Sequence, residues 1–166
     1  MRKRDEKCAD CSSSDLSFAP NNNSSKSSAA KEPCSWFEIH YLVKEVARQA
    51  AAKKYDCILA IANGGIIPAR LLAEELGIDD VKLVPVRKKK VIAPEMPALD
   101  KKKRYLVIDD IYDTGDTYNK VRKAVKGFSC DYAFCMTRHP TDAGICGRIL
   151  GHDRWIVFPW ERAQQQ

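Results

Sequence analysis

Short apolar runs of strand length alternate with helix-patterned segments along this chain, and few folds accommodate that alternation. Cys57-Ile-Leu-Ala-Ile61 is followed by Asn63-Gly64-Gly65 and a helical stretch from about Pro68 to Leu76, which stops at Gly77. Val81 to Val86 reads as a second strand. Tyr105-Leu-Val-Ile108 is a third, ending in Asp109-Asp110, with a helix from about Thr117 to Lys126 that stops at Gly127. Tyr132 to Met136 makes a fourth, and Ile145 to Leu150 and Trp155 to Phe158 read as less regular edge strands. Runs this apolar belong to strands covered on both faces. The pattern therefore predicts an α/β domain with a mostly parallel central sheet flanked by helices.

The helical start is sharp. Ser35-Trp36-Phe37-Glu38 has the pattern of a capping box, and Trp36, Ile39, Val43, Val46 and Ala50 recur at three-and-four spacing along one helical face. Residues 1–34 differ in kind. Cys11 to Ala30 is mostly Ser, Asn, Lys and Ala, with Leu16 and Phe18 as its bulky apolar residues, so a disordered low-complexity tail is expected there. Residues 35–166 then form one domain, and 45% hydrophobic content in 166 residues suffices for one core. Cys8-Ala-Asp-Cys11 with Cys34 and His40 could form a zinc knuckle, but the long, irregular spacing favours a plain tail.

Charge and cysteine usage narrow the class further. A net charge of +6 permits a nucleic-acid partner without demanding one. Seven cysteines, scattered and partly inside apolar strands, fit reduced thiols in a cytoplasm better than a disulfide framework. No apolar run is long enough to span a membrane, and the basic Met1-Arg2-Lys3-Arg4 is not followed by the apolar stretch of a secretory signal.

The chemistry concentrates in Leu106-Val-Ile-Asp-Asp-Ile-Tyr-Asp-Thr-Gly-Asp-Thr117. A buried strand here delivers carboxylates at its C-terminal end, then turns into a helix N-terminus. Ligands of open α/β sheets bind outside the carboxyl ends of the strands. Backbone N–H groups from Thr114 to Thr117, with the hydroxyls of Thr114 and Thr117, suit a phosphate, and Gly115 allows close approach. Asp109 and Asp110 are acceptors for sugar hydroxyls and candidate Mg²⁺ ligands. Phosphate donors beside diol acceptors describe a ribose 5-phosphate. The plain alternative is an acidic turn whose Asp and Thr cap a helix. Four Asp residues within eight positions count against it, since they repel one another unless cations or hydroxyls compensate them.

This segment closely resembles the phosphoribosyl pyrophosphate motif of type I phosphoribosyltransferases: four apolar residues, Asp-Asp, two residues, Asp-Thr-Gly, one residue, Thr. The resemblance implies that Asp109 and Asp110 contact the ribose hydroxyls, Asp110 being the nearer to Mg²⁺. It implies that Asp113 to Thr117 hold the 5-phosphate, with Asp113 as general acid/base near N7 of the base. Asp116 occupies the variable position, where its charge must face away from the phosphate. Ile61-Ala-Asn-Gly-Gly-Ile-Ile-Pro-Ala-Arg70 looks like the family's pyrophosphate loop, which implies ligand contacts at Asn63, Gly64 and Gly65 and a strained or cis peptide near Ala62–Asn63. Many relatives carry Arg or Lys where Asn63 stands.

A replacement cation could come from the basic segment 87–104, expected to be mostly loop, with Arg87 to Lys90 before Pro94 and Lys101 to Arg104 after Pro97. In the family this segment is a mobile hood; a solvated basic face or a nucleic-acid patch is the competing reading. Arg154-Trp-Ile-Val-Phe-Pro-Trp-Glu161 resembles the base-binding end of bacterial xanthine–guanine phosphoribosyltransferases and related archaeal enzymes. That likeness implies Trp155 stacked on a purine and the Ile156 backbone at its edge, against an alternative in which Trp155 merely packs the core. Where those relatives carry Lys before Pro as donor to the 6-oxo group, this chain has His139-Pro140, with Arg138 adjacent.

The resemblance thus implies the type I fold with a small C-terminal hood or base-binding segment, and an Mg²⁺-dependent purine phosphoribosyltransferase. Its partners would be phosphoribosyl pyrophosphate, a purine base (xanthine, guanine or hypoxanthine) and further copies of the chain in a dimer or tetramer. The alternative is a weakly catalytic regulator of the same fold that binds phosphoribosyl pyrophosphate or RNA. The basic loop and Asn63 both lean that way.

Overall fold

A computed structural model describes residues 30–161. The first strand, β1 (Lys31–Pro33), is followed by α1 (Trp36–Ala50), β2 (Cys57–Ile61), α2 (Ile66–Leu76) and β3 (Val81–Val84). A short hairpin of β4 (Val86–Arg87) and β5 (Lys90–Val91) and a 3-10 turn at Ala93–Glu95 lead to β6 (Arg104–Tyr112). Then come α3 (Asp116–Ala124), β7 (Ser129–Thr137), β8 (Ile145–Ile149) and β9 (Trp155–Val157). The sheet has five strands in the order β3-β2-β6-β7-β8, and every pairing in it is parallel.

Alternation along the strands shows why each is apolar throughout. Ile58, Ala60, Leu106 and Ile108 face one side with the buried residues of α1 and α2; Leu59, Ile61, Tyr105 and Val107 face the other with Val121 and Val125. Successive side chains of a strand point to opposite faces, so two covered faces require an unbroken apolar run. On α1, Ile39, Leu42, Val43 and Val46 are at most 1% exposed. Each such burial is worth roughly 1.5–3 kcal/mol, and Leu42→Ala should cost about 2–5 kcal/mol. The helix starts as expected: Ser35 Oγ accepts from Glu38 N–H at 3.2 Å and Glu38 Oε2 accepts from Ser35 N–H at 2.8 Å.

Several boundaries differ from the sequence expectation. A strand precedes the expected start at Ser35, because β1 pairs in parallel with β9, Lys31 opposite Trp155 and Pro33 opposite Val157. Three residues are too few to carry a periodicity, and their partner lies over a hundred positions away. Residues 1–29, including Cys8 and Cys11 of the candidate knuckle, lie outside the described residues, while Cys34 is buried in the core and His40 is exposed. The basic segment 87–104 is mostly loop, as expected, but its start carries the β4–β5 hairpin. β6 runs four residues past Ile108, and β7 is extended at both ends, because the two strands pair from Arg104–Ser129 to Tyr112–Thr137. Burial raises the thiols of Cys34 and Cys57 to about 11, which suits the expected reduced, unreactive cysteines.

Candidate active site

The chain builds the sheet outward from β2 to β3, then returns to add β6 on the other side of β2. The topological switch point therefore lies between β2 and β6, where open α/β sheets bind ligands. Pairing of β2 with β6 stops at Ala60–Ile108, whereas β7 follows β6 to Tyr112. Past Ile108, β6 has a neighbour on one side only. Asp109 and Asp110 stand in that opening, inside the strand rather than in the turn after it.

The turn after β2 fits against this opening. A Cβ on Gly64 would run into the Asp110 carboxylate, and one on Gly65 into the Ile108 carbonyl. These glycines are needed for close approach, whatever their dihedrals. The Ala62–Asn63 peptide is cis, where the family resemblance implied one, and Asn63 is exposed.

The two carboxylates are poorly compensated by the protein. Burial pushes the Asp109 carboxyl well above its ordinary range, and the neighbouring Asp110 charge pushes the same way. Burial also raises Asp110 to about 6, with Glu161 adding to the rise. Their hydrogen bonds are local: Asp110 N–H donates to Asp109 Oδ1 at 3.0 Å, and Ile111 N–H donates to Asp110 Oδ1 at 2.7 Å. Among the described residues no lysine or arginine bonds to either. Desolvated carboxylates of this kind are stabilised by cations and hydroxyl donors. Their hard oxygens suit Mg²⁺. Among the described residues no cluster of three or more His, Cys, Asp or Glu could enclose a metal. Asp109 and Asp110 are the side chains that would hold such an ion.

Helix starts differ across the fold in an informative way. α1, away from the opening, has both halves of its capping box, whereas α2 and α3, which begin beside the opening, have no side-chain cap. The first four N–H groups of a helix lack intrahelical partners, so uncapped starts are anion receptors. Gly115, the residue before α3, has φ +77°, and a Cβ there would meet the Tyr112 hydroxyl at 2.6 Å. Asp116 pairs with Lys120 at 2.7 Å, and that bond holds its carboxyl below the ordinary range. One cavity is lined by Asp109, Asp110, the Asp113–Thr117 turn and Lys89 at the tip of the β4–β5 hairpin. Every residue singled out in the sugar-phosphate motif therefore meets in one place.

The base end is less concentrated. Trp155 is 55% exposed, so it does not fill the core. Trp155 N–H donates to the Ala30 carbonyl at 3.0 Å and Cys34 N–H donates to the Val157 carbonyl at 2.9 Å. In a parallel ladder alternate residues bond to the same neighbour, so the Ile156 backbone points away from β1 and is free to meet a ligand, while its side chain is buried. His139 is exposed, 4.0 Å from Asp153, and does not line the cavity. Its neighbour turns inward instead: Arg138 Nε donates to Asp113 Oδ1 at 2.5 Å, and Nη1 donates to the carbonyls of His152 and Arg154 at 3.1 and 2.8 Å. Adjacent residues of an extended chain project to opposite sides. The Lys-Pro comparison pointed to His139, and nothing in the linear sequence marked Arg138 as the inward member.

Comparison with known proteins agrees with this geometry. The family described as phosphoribosyl transferase domain matches residues 31–139. A xanthine-guanine phosphoribosyltransferase from Idiomarina loihiensis is 32% identical over 138 residues, covering 76% of this chain and 84% of the relative. The crystal structure of a purine phosphoribosyltransferase from Pyrococcus horikoshii superposes with a TM-score of 0.68 at 30% identity, covering 82% of this chain and 97% of that one. A Helicobacter pylori xanthine-guanine-hypoxanthine phosphoribosyltransferase shares the fold at 17% identity, with a TM-score of 0.66 over 80% of this chain and 94% of that one. The parallel sheet is thus that of a known group, and the chain belongs to the phosphoribosyltransferase family.

Proposed function

We propose that this protein transfers the 5-phosphoribosyl group from phosphoribosyl pyrophosphate to a purine base, xanthine, guanine or hypoxanthine, with release of pyrophosphate, as a step of purine salvage in the cytoplasm. The observation that carries the reading is the buried Asp109 beside the half-buried Asp110, set between two uncapped helix starts at the switch point. The amides and hydroxyls of Thr114 to Thr117 hold the 5-phosphate. Asp109 and Asp110 accept from the ribose hydroxyls, and the Asn63-Gly64-Gly65 turn receives the pyrophosphate. Mg²⁺, which the same carboxylates would help to hold, would neutralise charge on the leaving pyrophosphate.

Asp113 takes the proton from the ring nitrogen of the incoming base as positive charge builds on the ribose. Trp155 stacks on the purine, the Ile156 backbone meets its edge, and His139 stands at the rim. Lys89 supplies a cation that Asn63 lacks, which gives one basic residue of the hairpin a place in the site. Two of the other seven cations of the segment are paired, Arg87 with Glu95 at 2.7 Å and Lys103 with Asp80 at 3.0 Å. The exposed Val81 and Leu83 on the edge strand β3 support self-association into a dimer or tetramer.

The test is to incubate the protein with labelled phosphoribosyl pyrophosphate, Mg²⁺ and each purine base in turn. Base-dependent release of pyrophosphate is the expected result. Binding of phosphoribosyl pyrophosphate without release would replace the enzyme with a regulator, and salt-sensitive RNA binding would strengthen that replacement.

A further inference from the structure

We infer that Arg138 is a positioning residue that holds the Asp113 carboxylate and the 152–154 loop as one unit, so that a single buried guanidinium sets the proton-handling group against the wall that receives the base. The inference rests on the function proposed above. Its ground is the way Arg138 is anchored. Its side chain is 10% exposed, its backbone N–H donates to the Tyr112 carbonyl at 3.1 Å, and its carbonyl accepts from Gly151 N–H at 3.1 Å. The residue therefore cannot move without β6, β7 and the C-terminal loop moving with it.

Asp113 is placed differently. It sits on a bend between β6 and α3, its side chain 50% exposed, and among the described residues Arg138 is its one recorded hydrogen-bond partner. A carboxylate on such a bend would sample several rotamers if left alone. Arg138 fixes one oxygen and leaves the other for a proton on the base. Because the same fork takes the carbonyls of His152 and Arg154, the loop just before Trp155 is fixed by the same group. Arginine suits this task because its donors form a rigid planar set, whereas a lysine ammonium offers one point of charge on a flexible stem.

The loop is braced from the far side as well. Glu32 of β1 lies 3.1 Å from both His152 Nε2 and Arg154 Nη2. Glu32 Oε2 is nevertheless buried with no hydrogen bond of good geometry, so its attraction to the Arg154 guanidinium is ionic rather than that of a well-aligned hydrogen bond. β1 therefore steadies the loop, while the guanidinium of Arg138 connects it to the reacting group. Misplacing a catalytic group by about 1 Å can cost on the order of 10²-fold in rate, which sets the scale of the expected effect.

The test compares Arg138→Met, Arg138→Lys, Asp113→Asn and the Arg138→Met/Asp113→Asn double variant by steady-state pyrophosphate release, with calorimetry of ribose 5-phosphate binding as the control for folding. Arg138→Met should lower kcat by roughly 10- to 100-fold and leave ribose 5-phosphate affinity within about threefold. Arg138→Lys should recover part of the loss, since one ammonium can serve the carboxylate or the carbonyls but not both. In the Asp113→Asn background, Arg138→Met should cost less than about threefold, because groups that act as a unit are strongly non-additive.

An unchanged kcat in Arg138→Met, a higher one, or a full multiplicative loss in the double variant would each overturn the inference. If Arg138→Met fails the binding control, Arg138→Lys decides: a kcat equal to the parent's refutes the fork, and an intermediate value supports it. If the unsubstituted protein released no pyrophosphate with any base, the proposed function would fall, an outcome distinct from an active parent indifferent to Arg138.

Discussion

The proposed sugar-phosphate half of the site and its proposed base half are built in opposite ways. Asp109 to Thr117 forms one continuous strand, turn and helix start, in which the side chains of Asp109, Asp110 and Thr114 accept from backbone N–H groups one or two residues on. The base half draws Arg138 from the end of β7, the loop at 152–154, Trp155 of β9 and Glu32 of β1, with contacts spanning 14 to 25 positions and more. The first half is a local conformation that needs the sheet only as a platform. The second exists only once the chain ends have been brought together. Binding of the activated sugar and handling of the base should therefore be separable by substitution, except at the Asp113–Arg138 pair, where the halves touch.

The largest expected effect falls on that junction. Asp113→Asn should lower turnover by about 10²-fold or more while phosphoribosyl pyrophosphate binding stays measurable by calorimetry. Unchanged turnover would remove Asp113 from proton transfer. Next comes Gly64→Ala, whose Cβ collides with the Asp110 carboxylate. A loss of about tenfold in phosphoribosyl pyrophosphate affinity, equivalent to about 1.4 kcal/mol, is expected, with base specificity unchanged. A loss of similar size in affinity for the base would show that the halves are coupled after all. Trp155→Ala addresses the other half, and loss of a stacked aromatic is worth about 0.5–1.5 kcal/mol. A rise of several-fold in KM for the base, with no change in affinity for the activated sugar, is the outcome to look for.

The smallest effect is on stability, and its sign follows from burial. Asp109 and Asp110 are both raised above the ordinary value, Asp110 to about 6. Protonated carboxyls are favoured in the fold. The contribution of Asp110 to stability is thus fully present below its unfolded value of 3.8 and is lost as pH rises through about 6, and that of Asp109 is lost in the same direction of rising pH. Carboxyls such as Glu38 and Asp80 are lowered instead, and their contribution is lost as pH falls through their folded values. Asp110→Asn should match the metal-free parent in Tm near pH 4 and exceed it near pH 7 by about 4 °C, while weakening phosphoribosyl pyrophosphate binding. A variant less stable than the parent at both pH values would show that the pair is compensated within the protein.

Legibility in the sequence followed the same division. The capping box of α1 and the stop of α2 at Gly77 were readable because each depends on residues within one helical turn. The extension of β6 past Ile108 was not, because polar Asp109 and Asp110 end the apolar run while the paired strand β7 continues it. The hairpin at Val86–Val91 was hidden by its charge, with Lys88 and Lys89 at positive φ forming a turn that carries no glycine. β1 was hidden by its length.

Linear order alone determined the alternating α/β architecture, the acidic end of β6, the turn at Asp113–Thr117 and the paired glycines that follow β2. Each is set by side-chain size, burial periodicity or backbone freedom acting over a few residues. Tertiary structure decided that Arg138 rather than His139 turns inward, that Trp155 stays exposed, and that Lys31–Pro33 belongs to the domain. Those outcomes depend on which side of an extended segment meets a neighbour far along the chain. Such a choice follows from long-range packing and the pairing of buried polar groups, and neither is written in local spacing.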